Sequence, residues 1–152
     1  LVDPELLESA SRFLDQISVV PEALAAAKAG ATAMHDITEG GFYGALWEVL
    51  SAGPVGCEVN LIDVPILPET RAICDALGID PYRLISSGSL LVAAPSYVPI
   101  REKVAEVGVA AYRVGQVTDS LTGSMEIVLP DGKREVLTEP REDELWRFLA
   151  DS

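Results

Sequence analysis

The amino-acid sequence predicts an α/β (α+β) fold in which one mixed β-sheet is covered mainly by helices. Helical and strand-like segments alternate along the chain, glycine and proline residues separate them, and two strand-like segments near the C-terminus flank a turn. Strands interleaved with helices are typical of a layered α/β domain. Because 152 residues are enough for one domain with a substantial core, we assign residues 1–152 to a single domain.

Two helices are expected before the first strand. Asp3 and Pro4 are typical of a helix start, because Asp is a favoured N-cap and Pro suits the first helical position. The apolar residues that follow recur at helical spacing and predict one buried face: Leu6, Leu7, Ala10, Phe13, Leu14 and Ile17. The second helix is expected to begin at Pro21 and to end at Gly30, and residues 31–34 should form a short strand.

The next helix is expected over residues 39–50, where an apolar stripe at helical spacing forms core. Tyr43 and Trp47 lie on a flank of this helix, so they either extend the core or contact another domain or subunit. Further along, the apolar residues of 89–94 run without alternation. We therefore expect a central strand that is covered on both faces.

The remaining elements follow from the same signals. They are a strand over 57–63, helices over 69–77 and 96–107, a strand over 111–118, and a hairpin that joins 125–129 to 134–137. After Pro140, a last amphipathic helix should turn Leu145, Phe148 and Leu149 inward. The charged run REDE at residues 141–144 is interpreted as a solvated start of that helix, where negative charge suits the helix dipole.

The composition argues against several classes of function. A formal net charge of −13, from 24 acidic and 11 basic residues, argues against a general nucleic-acid or anionic-membrane surface, because long-range repulsion opposes approach. No apolar run approaches the ~20 residues of a membrane span, and no signal-peptide pattern opens the chain. Cys57 and Cys74 lack metal-ligand spacing, so we expect buried free thiols and a cytoplasmic protein.

The best candidate for a phosphate site is the stretch MHDITEGGFYG at residues 34–44, which contains Asp36, Thr38, Gly40 and Gly41. Residues without bulky side chains let a backbone approach a ligand closely, and free N–H groups at a helix start favour an anion. The alternative is a tight strand-to-helix turn in which Thr38 caps the helix and the glycines serve only packing. Spacing alone leaves both interpretations open.

Other polar residues near this stretch have two interpretations each. His35 is the sole histidine, and we expect it to be a hydrogen-bonded structural residue at a strand end and not an acid or base. Asp36 either holds Mg²⁺ or a water near phosphates, as hard oxygen ligands do, or caps the next helix. The turn at Ser86, Ser87 and Gly88 either places N–H groups near a ligand or simply joins a helix to a strand.

Three segments of the chain occur together in one known family: MHDITEGG at 34–41, ALWE at 45–48 and LGIDPYRLISSGSLLVA at 77–93. Over about residues 18–138, the chain resembles the C-terminal domain of aminoimidazole-ribonucleotide (AIR) synthetase-related proteins. That superfamily includes PurM, the hydrogenase maturation protein HypE, selenophosphate synthetase and thiamine-monophosphate kinase. The joint occurrence of the first and last segments at this separation is much more specific than either one alone.

The resemblance implies a PurM-like fold with partial ferredoxin-like character and a place in an ATP-dependent enzyme, with hydrogenase maturation as one role. It implies ATP and Mg²⁺ as cofactors of the full-length protein, neither held tightly by this domain alone. The partners it implies are an N-terminal ATP-binding domain, which is not in this chain, and a second copy in a homodimer. The residues on the nucleotide side are then Asp36, Thr38, Gly40, Gly41 and Gly88. Asp36 is the candidate metal ligand because of its carboxylate chemistry, with capping of the next helix as the alternative.

Two features depart from the pattern of the hydrogenase maturation enzymes. Ser87 stands where those enzymes usually have an acidic residue before the glycine. They also end in a cysteine that carries the group being dehydrated, whereas this chain ends in Ala150-Asp151-Ser152. Both departures argue against transferring the specific nitrile-forming chemistry to this chain, although truncation of the sequence would equally explain the second. Since the sequence begins at Leu1 and not at Met, we expect a fragment of a longer protein.

Two functions follow as hypotheses. In the first, which we favour, ATP activates an oxygen for displacement and this domain completes the nucleotide and substrate site. In the second, the domain serves assembly or dimerisation, and its glycine turn binds nothing. The isolated chain should fold without hydrolysing ATP, because it contains no P-loop sequence. It should also self-associate or dock on another domain, with Tyr43 and Trp47 as candidate anchors.

Overall fold

The computed structural model describes residues 2–119 and 123–150. Within these ranges, α-helices lie at Pro4–Ser11 (α1), Val20–Lys28 (α2), Gly41–Ser51 (α3), Pro68–Leu77 (α4), Tyr97–Ala105 (α5) and Glu144–Ala150 (α6). Strands lie at Ala33–Asp36 (β1), Gly56–Asn60 (β2), Leu90–Ala93 (β3), Gly115–Thr118 (β4), Met125–Val128 (β5) and Arg134–Leu137 (β6). Short 3-10 helices cover Arg12–Gln16 and Leu61–Asp63.

The ends of the helices follow local chemistry. The Asp3 carboxylate accepts the Glu5 N–H at 2.9 Å and caps α1, and Pro4 occupies the first helical position. α4 ends at Gly78, whose φ of 66° is favourable only for glycine, and the Ile79 N–H then donates to the Cys74 carbonyl. The starts of α1 and α4 and the end of α4 therefore match the expectation from the sequence.

The strands form two sheets where the sequence predicted one. β1 and β3 pair antiparallel as a two-stranded ribbon, with Asp36 opposite Leu90 and Ala33 opposite Ala93. The other sheet has the order β4-β2-β5-β6, in which β2 and β5 are parallel and the remaining pairs are antiparallel. The mixed α+β fold class and the β5–β6 hairpin are confirmed, but the prediction of a single sheet is wrong.

β3 corrects the prediction of a central strand. Within the described ranges it pairs only with β1, yet both of its faces are covered. Leu91 packs against a larger core, and Val92 packs against a smaller one. An unbroken apolar run therefore reports burial on both faces, and it does not distinguish a central strand from a ribbon held between two cores.

Two clusters of buried side chains hold these elements together. The larger core joins α3 to the four-stranded sheet through residues such as Phe42, Leu46, Val59 and Ile127. The smaller core packs α2 against α5, where the alanines of α2 allow a close approach. The ribbon lies between these cores, so the end of β1 is held firmly where the chain enters α3.

Two predicted apolar faces are buried only in part. α1 ends at Ser11 and the 3-10 helix follows, and no residue of either segment is fully buried; Leu14 is 75% exposed. In α6, Leu145 and Phe148 are partly buried and Leu149 is exposed, whereas Glu144 is buried. Helical periodicity identifies an apolar face, but it does not show whether the chain supplies a surface to cover that face.

Both cysteines are buried free thiols, as expected from their spacing. Burial raises the pKa of the Cys57 thiol to about 11, and burial likewise raises the pKa of Cys74. Neither thiol is activated for nucleophilic chemistry. In the described part of the chain, all helices are too short or too polar to cross a membrane.

Candidate functional site

The turn between β1 and α3 is built on two glycines in the left-handed conformation. We call residues 37–41 the glycine turn. Gly40, with φ of 77°, is the N-cap residue of α3, and Gly41, with φ of 61°, is its first residue. The expected side-chain cap by Thr38 is wrong, because α3 has no side-chain cap bond and the Thr38 carbonyl accepts the Gly41 N–H instead, at 3.0 Å.

The N–H groups of Gly40 and Gly41 in the glycine turn, and of Tyr43 in the first turn of α3, are bonded within the chain. The Gly40 N–H donates to Asp143 Oδ2 at 2.8 Å, and the Tyr43 N–H donates to the Tyr82 carbonyl at 3.3 Å. An anion could use these donors only by displacing their present partners. The polar side chains at or beside the turn that stay accessible are those of Asp36, Thr38 and Glu39, so two carboxylates border this position.

Gly41 lies directly against the backbone of residues 82–84. A Cβ at this position would lie 2.7 Å from the carbonyl oxygens of both Tyr82 and Leu84. Two separate features therefore require glycine at position 41: its positive φ and the close contact between the two backbones. This geometry supports the packing role for Gly41, and phosphate binding at the turn stays a prediction.

The structure brings the second glycine-bearing segment beside the first. The Ile37 N–H donates to the Ser89 carbonyl at 2.9 Å, and the Ser86 N–H donates to the Ile37 carbonyl at 3.2 Å. Gly88 packs on the backbone of Gln16, where a Cβ would lie 2.8 Å from the carbonyl oxygen. The predicted site residues thus lie at or near one end of the ribbon: Asp36, Thr38, Gly40, Gly41 and Gly88.

His35 is bonded on both sides of its ring. Its Nε2 lies 2.5 Å from Glu48 Oε2, and its Nδ1 lies 2.6 Å from the backbone carbonyl oxygen of Asp36. Because Glu48 belongs to α3, the imidazole ties that helix to the end of β1. This is the hydrogen-bonded structural role that the sequence favoured for His35.

Asp36 presents an accessible carboxylate at the end of β1. Its side chain is 59% exposed, and its Oδ1 lies 3.8 Å from His35 Nδ1. Across residues 2–119 and 123–150, no three His, Cys, Asp or Glu side chains are grouped closely enough to hold a metal ion. Asp36 therefore fits a single oxygen ligand, and a Mg²⁺ ion there would need its other ligands from phosphates, water or another domain.

Tyr43 and Trp47 have different environments. Tyr43 is buried, its hydroxyl donates to Glu135 Oε1 at 2.9 Å, and the Arg141 guanidinium lies 6.0 Å from the centre of its ring. Burial and the bond to Glu135 raise the pKa of the Tyr43 phenol. Tyr43 thus extends the core and is not an interface anchor, whereas Trp47 is only partly buried against the core.

Residues 6–128 match the family described as AIR synthase related protein, C-terminal domain. The chain belongs to this family. The match includes β1, the glycine turn and the Ser86–Gly88 segment, so the resemblance seen in these segments is confirmed at the level of the family.

Relatives in the family include hydrogenase maturation proteins. The chain is 36% identical over 70 residues to a carbamoyl dehydratase HypE of Rhodobacter capsulatus, which is 46% of this chain and 21% of that protein. A crystal structure of the hydrogenase maturation protein HypE in complex with ATP is similar with a TM-score of 0.62 and 25% identity, covering 75% of this chain and 37% of that one.

The structural similarity covers more of the chain than the sequence similarity does. The crystal structure of E. coli HypE is similar with a TM-score of 0.70 over 90% of this chain and 47% of that one, at 20% identity. The chain therefore spans about a fifth of the curated relative (21%) and less than half of the solved chains (37% and 47%). The family is shown by the match over residues 6–128, and the solved structures support the fold.

Two buried residues beside the glycine turn were not predicted from the sequence. Asp143 and Glu144 were expected at a solvated helix start, but they are 4% and 3% exposed. Both lie beyond the part of the chain that matches the family, which ends at residue 128. A run of four charged residues is typical of an exposed surface, so only the folded chain reveals that two of the carboxylates face inward.

Proposed function

We propose that this chain is the C-terminal domain of an ATP-dependent enzyme of the HypE type and that it completes a nucleotide or substrate site whose other part lies on an ATP-binding domain of the same protein. The single domain over residues 1–152, a homodimer and a cytoplasmic location belong to the same proposal. Two relatives support it: one is named carbamoyl dehydratase HypE, and another was solved in complex with ATP. A reaction of hydrogenase maturation is the finer form of this proposal.

The observation that carries the proposal is the meeting of the two family segments at one end of the β1–β3 ribbon. The backbone bonds between Ile37 and residues 86–89 hold them together. Asp36 and Ser87 are exposed there, and Thr38 is partly exposed. A ligand that approaches this end encounters a carboxylate and hydroxyl groups on a rigid backbone, which is suited to orienting a phosphate-bearing molecule.

The residues at this end fit a supporting role toward ATP and Mg²⁺. When bound, ATP supplies a phosphoryl group that converts an oxygen into a better leaving group. The Asp36 carboxylate would hold one position of Mg²⁺ or a water near the phosphates. Thr38 would donate its hydroxyl to an anionic oxygen. Gly88 would contribute through its backbone, because its side-chain position is filled by the backbone of Gln16.

The ATP-binding domain is proposed to dock on the exposed apolar side chains of the N-terminal segment, here called the N-terminal apolar face. These are the exposed large apolar side chains of residues 7–24: Leu7, Leu14, Ile17, Val20 and Leu24. Several large apolar side chains exposed on one segment are typical of an interaction surface. Since Gln16 contacts Gly88, a domain seated there would also border the proposed site.

The test begins with the complete open reading frame, which should encode an ATP-binding domain. The full-length protein should hydrolyse ATP, and the 152-residue chain alone should not. Asp36→Asn should lower turnover of the full-length protein by at least about tenfold, as expected when a metal or phosphate contact is lost. The matched control is Asp75→Asn, because Asp75 is an exposed aspartate on α4 away from the glycine turn.

Three outcomes would overturn the proposal. They are equal turnover in the Asp36 and Asp75 variants, mutation-sensitive hydrolysis by the isolated chain, and an open reading frame without an ATP-binding domain. The first and the third would favour the second candidate function, a non-catalytic domain for assembly or dimerisation, whereas the second would show that the chain is catalytic without another domain. That alternative has its own support, because the Gly40, Gly41 and Tyr43 N–H groups are bonded within the chain and the N-terminal apolar face lacks a cover.

A further inference from the structure

We propose that residues 141–147, here called the C-terminal clamp, position the glycine turn at the start of α3, with Asp143 and Glu144 as the positioning residues. The inference rests on the proposed function in one respect only, namely that the turn borders a ligand site. The clamp lies outside the part of the chain that matches the family, which covers residues 6–128.

Asp143 links the starts of two helices with one carboxylate. Its Oδ2 accepts the Gly40 N–H at 2.8 Å, and its Oδ1 accepts the Leu145 N–H at 2.8 Å, where α6 begins. Both bonds are charge-assisted, and the carboxylate lies where the dipoles of both helices favour negative charge. Because each oxygen has its own donor, a change in the position of α6 is transmitted directly to Gly40.

Glu144 connects the clamp to the segment that supports Gly41. Its Oε1 lies 3.2 Å from Arg83 Nη1, and its Oε2 accepts from Arg147 Nε at 3.0 Å. Its backbone N–H donates to the Arg83 carbonyl at 3.1 Å, and Arg83 Nη2 donates to the Glu142 carbonyl at 3.0 Å. The clamp therefore holds residue 83 through both backbone and side-chain bonds.

The segment at residues 82–84 carries this connection on to the turn. The carbonyls of Tyr82 and Leu84 lie against Gly41 so closely that no Cβ fits between them. The Tyr82 carbonyl also accepts the Tyr43 N–H at 3.3 Å, in the first turn of α3. The clamp thus reaches the glycine turn by two routes, directly through Asp143 and indirectly through Glu144, Arg83 and the backbone beside Gly41.

The way in which α6 is held also indicates positioning. Trp146 and Leu149 are about half exposed, whereas Asp143 and Glu144 are buried. Burying carboxylates is unfavourable unless each is fully bonded, and such bonds confer a defined geometry more than net stability. The other apolar side chains of α6, Leu145 and Phe148, are only partly buried. The most buried side chains at this end of the chain are therefore Glu144 and the preceding Asp143, which contact residues 83 and 40.

The experiment measures backbone amides by NMR in the 152-residue chain without a ligand. Asn has one acceptor oxygen, so Asp143→Asn must lose its bond to Gly40 or to Leu145. We expect the Gly40 amide to exchange about tenfold faster or more in Asp143→Ala, and the Gly40 or the Leu145 amide to do so in Asp143→Asn. The resonances of Ile37, Thr38 and Glu39 should shift in both variants.

Glu142→Ala is the matched control. It removes a neighbouring exposed acid and keeps the backbone carbonyl that Arg83 uses, so the turn resonances should stay in place. If Asp143→Ala does not fold, Glu144→Gln provides the second test, because it leaves the Asp143 bonds intact while weakening the hold on Arg83. In this variant, the Tyr43 amide should exchange faster.

The proposal is wrong if Asp143→Asn accelerates exchange only within α6 while the resonances of residues 37–39 stay unchanged, since Asp143 would then serve only α6. It is equally wrong if the Asp143 variants behave like Glu142→Ala. Titration of the full-length protein with inorganic phosphate separates this result from the proposed function. If the variants show coupling between clamp and turn but the full-length protein shows no phosphate response at the turn, the clamp is supported and the ligand site is wrong. If the full-length protein responds to phosphate but the variants show no coupling, the ligand site is supported and the clamp is wrong.

Discussion

Replacing Gly41 with alanine tests the contact between the glycine turn and residues 82–84. At the φ of 61° found for Gly41, the left-handed conformation destabilises an alanine by about 1–2 kcal/mol. Its methyl group would also lie 2.7 Å from two backbone carbonyl oxygens, and overpacking of this kind costs about 1–3 kcal/mol. We therefore expect Gly41→Ala to lower the free energy of unfolding by about 2–5 kcal/mol.

Gly78→Ala separates the two contributions. Gly78 has φ of 66°, close to that of Gly41, but a Cβ there has no heavy atom within 4 Å. This control should lose only the conformational part, about 1–2 kcal/mol. Urea unfolding of both variants, with equal m-values, measures the difference.

The difference between the variants should be about 1–3 kcal/mol, which corresponds to about 2–12 °C in melting temperature for a chain of this size. Equal losses in the two variants would refute the reasoning, because they would mean that the backbone at Tyr82 and Leu84 yields without cost. A smaller loss for Gly41→Ala than for Gly78→Ala would refute the placement of the turn itself.

Three further predictions concern buried polar groups. Tyr43→Phe should lose about 1 kcal/mol in urea unfolding, because it removes the 2.9 Å bond to Glu135 and keeps the ring; an unchanged stability would show that the bond contributes nothing. Arg147 and Arg83 hold the pKa of Glu144 below its usual value, so the unfolded state protonates first as the pH falls below about 4.3, and the stability due to Glu144 is then lost. Glu144→Gln should flatten this part of the stability–pH curve, and a curve that keeps its shape would contradict the assignment. Since burial raises the pKa values of Cys57 and Cys74, a thiol reagent at a pH of about 8 should label them far more slowly in the native than in the unfolded protein, and rapid native labelling would contradict their burial.

Local patterns predicted most of the elements because they depend on neighbouring residues. Asp3, Pro4 and Gly78 mark helix ends through bonds and φ values that involve only adjacent turns of the chain. The stripe in α3 identified its buried face, and Tyr43 proved to be part of the core. The glycine turn was likewise found from sequence, since paired glycines before an apolar helix predict a tight strand-to-helix connection.

The predictions that failed depend on residues far away in the chain. One of the two interpretations of the glycine turn made Thr38 the cap of α3, but the acceptor for the Gly40 N–H is Asp143, 103 residues later. The apolar run of β3 indicated covered faces correctly, although the covering comes from two cores and not from neighbouring strands. A sequence pattern indicates that a segment must be buried or hydrogen-bonded, but several different folds can supply the covering surface or the partner.

The sequence by itself determined the family, the mixed α+β class, the order of elements and the place of the glycine turn, because these follow from periodicity, caps and local motifs. Only the tertiary structure decided that the strands divide between two sheets, that Asp143 and Glu144 turn inward, and that the backbone at 82–84 lies against Gly41. The physical reason is that a buried carboxylate or a backbone contact is stable only with its particular partners, and those partners become neighbours only when the chain has folded.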